Sequence, residues 1–377
     1  MKSSTDQFQQ IPLGQPIPNS LHAVSVSLPT FGDVVDYEEK EPSTMAKVRS
    51  GYPRFVRHAC IEDLASSWKN SFGIGEDKDL IFFRERHAAD DALHKLGGLR
   101  NSARIHSEKE CCVVEVDKAT HEEKFLIAYL QHTGAGISSR MAEDLEAKHS
   151  LSEPDHNQTL EKQIYDWFDP RVKSRIHLCN SGMNAFYAAF ESVNAYQRPK
   201  ARKLWISVGW LYLDTLKILD EFLHLDGGEH ISFPDVSNTE AILNCIETRG
   251  DEIAGLVVEI PTNPLVQTPD IEVISERCKE KGILTIGDPS LVSPQNVDLS
   301  ELCDIVCCSL TKYAAHAGDV MIGAVSVREG ESWTEEIDSI LKARLSRPYA
   351  RDEIILSKHL SSAKEVLEQM NQNTVKM

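Results

Sequence analysis

The sequence has no Cys-x-x-Cys spacing, no apolar run of membrane-spanning length and no excess of basic charge. Its nine cysteines are odd in number, and two pairs are adjacent, Cys111–Cys112 and Cys307–Cys308. That pattern argues against a zinc site or a disulfide framework and for a reducing, cytoplasmic setting. Residues 1–20 lack the basic-then-apolar order of a signal peptide. Acidic residues outnumber basic ones by 58 to 40, giving a net charge of −18. Such a balance argues against a general nucleic-acid or anionic-membrane surface and leaves room only for a local basic pocket.

What is present is an ordinary globular composition. With 377 residues, 41% of them hydrophobic, the chain can build one large α/β domain with extensions, or two domains. Residues 1–30 hold Pro12, Pro16, Pro18 and Pro29 without a helical period, which predicts an extended arm. Patterning from Tyr52 to Leu160 is mixed. Within it HTGAGISSR (His132 to Arg140) has two glycines in GxG spacing but no third, and no strand-then-helix unit around them. It reads as a turn rather than a nucleotide loop.

From residue 175 the pattern becomes regular. RIHLCN, LWISVG, HISF, AGLVVEI, ILTIGD and the apolar runs 302–309 and 320–327 read as strands. Helical stretches separate most of them, and the chain after Arg328 reads as helix. β-Branched runs alternating with helices predict an α/β fold around a mostly parallel sheet with helices on both faces. Ligands of such sheets sit beyond the carboxyl ends of the strands.

The polar residues at those ends are few. Ser181-Gly182-Met183 opens a helix, and a helix N-terminus suits a phosphate, although Ser181 is also an ordinary N-cap. Pro261-Thr262-Asn263-Pro264 forms a turn that holds Asn263 over the sheet edge, and Asp288 ends the strand ILTIG. An aspartate there can merely cap the next segment unless a cation faces it. Ser309, Thr311 and Lys312 follow the strand DIVCC. A lysine between two buried strands is costly unless it is paired, neutralised or covalently used. A phosphate cradle, a carboxylate and a lysine amine together are what pyridoxal 5′-phosphate asks for: the carboxylate for its ring nitrogen, the lysine for its aldehyde. Lys312 is therefore expected to be used covalently, as a Schiff base.

The motifs SGMNA at 181–185, EIPTNP at 259–264, GDPS at 287–290 and SLTKYAAHAGDVMIGAV at 309–325 resemble the pyridoxal-phosphate enzymes of cysteine and methionine metabolism. The resemblance implies an aspartate-aminotransferase-like (fold type I) architecture. It implies that Ser181, Gly182, Met183, Ser309 and Thr311 hold the phosphate, that Asn263 contacts the ring hydroxyl and that Asp288 pairs with the ring nitrogen. Glu259 would support the site, and Lys312 would be both Schiff-base lysine and proton carrier. Tyr212, which alone would read as a core aromatic, would stack on the ring and exchange a proton near the leaving group. GYPRF at 51–55 is similar to the family's Tyr-x-Arg motif, so Tyr52 and Arg54 would reach a neighbouring subunit's phosphate in a homodimer or homotetramer with shared sites. Taken alone, that pair would read as local loop packing.

The N-terminal segments are most similar to the fungal-type cystathionine γ-synthases, which join an activated homoserine ester to cysteine. Cystathionine or methionine γ- or β-lyases share nearly all these motifs, and a non-catalytic member would keep the same fold. The implied organisation is an arm over 1–60, a subfamily-specific region over 61–174, a cofactor-binding domain over 175–330 and a helical tail over 331–377. The family's carboxylate-clamping arginine lies in a C-terminal domain of which the tail is expected to be only the start. Arg344, Arg347 and Arg351 lie in the tail but match no motif. Small amino acids are the expected substrates, with no nucleic-acid, membrane or metal partner.

Overall fold

The structure is a computed structural model that describes residues 10–48, 55–97, 104–107, 111–149 and 158–376. At the N-terminus β1 (Pro16–Ile17) pairs antiparallel with β2 (Ser25–Val26). The extended character stops at Thr30. Its hydroxyl accepts from the Asp33 N–H at 3.1 Å, and the Asp33 carboxylate accepts from the Thr30 N–H at 2.9 Å. This capping box starts α1 (Phe31–Glu38), and Pro42 opens α2 (Pro42–Met45). Within the arm expected over 1–60, residues 31–38 and 42–45 are helical rather than extended, and the Thr30–Asp33 pair explains the start of the first helix.

A second region carries α3 (Ala59–Phe72), β3 (Lys78–Phe83), α4 (Arg86–Lys95), β4 (Arg104–Ser107), β5 (Cys112–Asp117), α5 (His121–Thr133) and α6 (Ser139–Glu146). Its three strands form an antiparallel sheet in the order β3-β5-β4. Alternation along β3 divides the burial between two cores. Leu80 and Phe82 pack with Ile61, Leu64 and Met141, whereas Ile81 and Phe83 join the large core that includes α4 and α5.

After α7 (Gln158–Phe168) the chain follows the expected order: β6 (Ser174–Cys179), α8 (Gly182–Gln197), β7 (Leu204–Val208), α9 (Leu213–Lys217), a π-helical turn (Ile218–Phe222), α10 (Leu223–Leu225) and β8 (Glu229–Phe233). There follow α11 (Thr239–Arg249), β9 (Ile253–Glu259), α12 (Ile271–Lys281), β10 (Leu284–Asp288), β11 (Ile305–Ser309), β12 (Gly323–Arg328), α13 (Thr334–Arg344) and α14 (Ala350–Lys376). The seven strands run in the order β6-β12-β11-β10-β9-β7-β8, and only β12 opposes its neighbours. Helices α8 and α13 cover one face; α7, α11, α12 and α14 cover the other. Leu356, Leu360, Ala363 and Leu367 of α14 are buried in that second layer. The fold is the expected α/β architecture with a mostly parallel sheet. Among the described residues, no helix is long and apolar enough to cross a membrane.

Candidate active site

The carboxyl ends of β9, β10 and β11 open on a cavity of about 410 Å³. Gly182, Met183, Tyr212, Glu259, Asn263, Asp288, Ser309 and Lys312, singled out from the sequence, line it together with Ser290, Leu291 and Tyr313. Register explains part of the convergence. Asp288 and Glu259 are direct partners across β10 and β9, so both side chains leave the same face at the same height.

Two carboxylates side by side, Glu259 buried and Asp288 part-buried, resist ionisation. Burial and the neighbouring Asp288 charge push Glu259 up to about 8, although the Tyr212 and Asn263 N–H groups it accepts oppose the rise. Burial pushes Asp288 up to about 6, against the Ser290 hydrogen bonds and the Lys312 charge. Ser290 locks this wall. Its N–H donates to Asp288 Oδ1 at 2.7 Å, and its Oγ accepts from the Ser309 N–H at 2.7 Å. Sequence reasoning quoted GDPS without using Ser290; a serine two residues after a strand-end aspartate is a local-turn signal that could have found it.

Opposite lies the start of α8. A Cβ placed on Gly182 would stand 2.7 Å from Ser309 Cβ and 2.9 Å from Ser309 Cα. Only glycine lets the helix N-terminus come this close to the end of β11. Ser309 Oγ is buried there without a hydrogen-bond partner. Ser181 and Thr311 are not on the cavity wall. The Ser181 hydroxyl accepts from the Asn184 N–H at 3.0 Å and donates to Gly134 O at 3.1 Å, the ordinary capping role. Thr311 Oγ1 donates to Ile322 O at 3.2 Å and accepts from the Ile322 N–H at 3.0 Å.

Lys312 is exposed rather than buried between strands. The β11 strand stops at Ser309 and the chain turns above the sheet, which carries Lys312 out of the apolar layer to the cavity edge. The cost argument drawn from burial therefore does not apply, whereas its place beside Asp288 remains. Tyr52 and Arg54 lie outside the described residues. The tail arginines face acids elsewhere: Arg344 faces Asp91 at 3.4 Å, Arg347 faces Glu85 at 3.2 Å and Arg351 faces Glu143 at 2.9 Å. Among the described residues no arginine lines the cavity.

An orphaned hydroxyl at a helix N-terminus and a raised carboxyl pair across from it ask for one molecule, anionic at one end and cationic at the other. With a lysine amine at the rim, the chemistry of these residues fits pyridoxal phosphate. A family model described as Cys/Met metabolism PLP-dependent enzyme matches residues 153–377, and the chain belongs to that family, whose members are pyridoxal-phosphate-dependent.

The L-2-amino-4-chloropent-4-enoate dechlorinase/desaturase of Streptantibioticus cattleyicolor is 32% identical over 350 residues, covering 90% of this chain and 68% of that protein. A cystathionine gamma-synthase-like protein of Aspergillus thermomutatus is 25% identical over 382 residues, covering 88% and 67%. The solved cystathionine gamma synthase of Xanthomonas oryzae pv. oryzae, in complex with aminoacrylate and cysteine, is 19% identical with a TM-score of 0.45, covering 55% of this chain and 52% of that one. The chain thus spans about two thirds of the length of these two relatives and about half of the solved chain.

Proposed function

We propose that this chain activates α-amino acids carrying a leaving group on Cγ, and that its reaction is the γ-replacement that joins an activated homoserine ester (O-succinyl- or O-acetylhomoserine) to cysteine. The observation carrying this reading is the placement of Lys312 and Asp288 on one strand-end cavity. When bound, pyridoxal phosphate supplies the electron sink that makes the Cα proton removable. The N–H groups of Gly182 and Met183 and the Ser309 hydroxyl hold its phosphate, and Asn263 orients the ring through an amide contact. Asp288 would face the ring nitrogen and accept a charge-assisted hydrogen bond from it, and the Ser290 hydrogen bonds and the Lys312 charge favour the carboxylate form that this needs. Lys312 Nζ takes the Cα proton and returns it. Tyr212 moves the second proton near the leaving group. Tyr52 and Arg54 complete the phosphate site of a second copy, so the working unit is a homodimer or homotetramer in the cytoplasm.

One observation favours a second reading, elimination without replacement. The 32% identical relative is named for losing chlorine from C4 of a 2-amino acid, which is the γ-carbon. Both readings share every step until the leaving group departs. Protein loaded with pyridoxal phosphate and reduced with borohydride should carry the label on the Lys312 peptide. Given a homoserine ester and cysteine it should form cystathionine; an oxo acid and ammonia instead would select elimination. Label on another lysine, with no Cα deuterium exchange, would overturn both.

A further inference from the structure

The turn HTGAGISSR has no place in the reaction just described, yet it touches both walls of the cavity from behind. Asp214 has no exposed surface, and it lies two residues after Tyr212 in α9. His132 Nδ1, at the end of α5, donates to Asp214 Oδ1 at 2.9 Å. The neighbouring Gln131 Nε2 donates to the same oxygen at 3.2 Å. His132 is itself 7% exposed, and its ring stands edge-on to Phe222 at 6.0 Å between centroids. The next residue of α9, Thr215, reaches Met183 Sδ with its hydroxyl at 3.9 Å. Tyr212 and Met183 both line the cavity. One short helix thus carries a cavity residue just before it, a buried carboxylate gripped from α5 and a contact to the opposite wall.

The turn also grips the residues that lead into α8, just before the cavity residues Gly182 and Met183. Gly134 O accepts from Ser181 Oγ at 3.1 Å, and Gly136 O accepts from Asn180 Nδ2 at 2.8 Å. Gly134 sits at φ +62°, and a Cβ on it would fall 2.0 Å from Ser181 Oγ. The segment from Gln131 to Gly136 therefore ends α5 in a conformation that favours glycine and fastens α9 to the start of α8.

We propose that His132 is a positioning residue: through Asp214 it sets where Tyr212 and Met183 stand on the cavity. The proposal rests on reading that cavity as the pyridoxal-phosphate site. A buried carboxylate that loses a charge-assisted donor either takes a proton or moves toward water, and α9 moves with it. Such a bond is worth roughly ten- to a hundredfold in an equilibrium.

The test uses the full chain made with 3-fluorotyrosine and with ¹³C-methyl methionine, its signals assigned by Tyr212→Phe and Met183→Leu. His132→Ala should shift the Tyr212 and Met183 signals and weaken pyridoxal phosphate binding by about tenfold or more. Tyr165, exposed on α7, should keep its signal. His132→Gln, which keeps an N–H donor, should restore both signals and most of the affinity, a rescue that loss of packing alone would not give. Should His132→Ala fail to fold, His132→Phe keeps a ring against Phe222 without an N–H donor and provides the same readout. Unmoved Tyr212 and Met183 signals in a folded variant would overturn the proposal. If the signals move while the unaltered protein takes up no pyridoxal phosphate, the reading of the site fails and the positioning role stands.

Discussion

The two sheets of this molecule handle their strand ends in opposite ways. Six strands of the large sheet, β6 to β11, all finish at one edge, so residues distant in sequence gather there: Glu259, Asp288 and Ser309 each end a strand. The small sheet β3-β5-β4 is antiparallel, and its strand ends alternate between edges. It cannot collect side chains at one place, and among the described residues none of its strands lines the cavity, while the C-terminal turn of α5 holds Asp214 and Ser181 next to it. The lesson is a division of labour that follows from strand direction. Parallel ends supply chemistry, and the antiparallel region supplies support.

The largest test of that division is Asp288→Asn. It should leave the protein folded, with a melting temperature at neutral pH no lower than before because a raised carboxyl is removed, while slowing Cα proton exchange on a bound amino acid by about a hundredfold or more, the scale of a lost proton-transfer partner. An unchanged exchange rate would show that the strand ends are not where the chemistry lies.

A smaller effect should come from pH. Asp288 and Glu259 bind protons more tightly folded, at about 6 and about 8, than their ordinary values of 3.8 and 4.5. Between about pH 4 and 8 the folded ligand-free protein holds more protons than the unfolded chain, so these two groups make stability fall as pH rises. A cationic ring nitrogen facing Asp288 lowers its value and removes part of that slope. Denaturant melts from pH 5 to 8 should therefore show a shallower decline with pyridoxal phosphate than without it. Parallel curves would break the link between the carboxyl pair and the ring.

The smallest effect should follow Thr120→Ala. Thr120 caps α5, accepting from the Glu123 N–H at 3.2 Å, and its loss should cost about 1 kcal/mol. Cofactor affinity should not change, because the contacts to Asp214 and Ser181 come from the opposite end of α5. A measured loss of affinity would sharpen the comparison by extending the support to the whole helix.

Legibility in the sequence follows the same division. The central strands of residues 175–330 are readable because apolar β-branched runs buried on both faces leave little ambiguity, and the cavity residues follow from their ends. Leu80 and Phe82 face one core and Ile81 and Phe83 another, so KDLIFF reads as a continuous apolar run from which no partner strand can be inferred. Side-chain hydroxyls were the least legible. Ser181 and Ser309 look alike in sequence, yet the first is committed to Asn184 and Gly134 and the second is unpartnered. Only three-dimensional neighbours separate a cap from a ligand-facing donor. Lys312 misled for a related reason: two flanking strands imply burial, but the turn between them rises above the sheet.

The close approach of Gly182 to Ser309 has a consequence in time. On the proposed reading of the site, neither half of that contact would hold a phosphate alone, since the helix N-terminus and the unpartnered hydroxyl come from segments far apart in the chain. During synthesis α8 emerges well before β11, and β11 must seat beside β10 before the two meet. Uptake of the cofactor is consequently a late event, a signal that the long-range pairing of the sheet has closed. A chain stalled by the ribosome before Ser309 should collapse around α8 and still ignore pyridoxal phosphate.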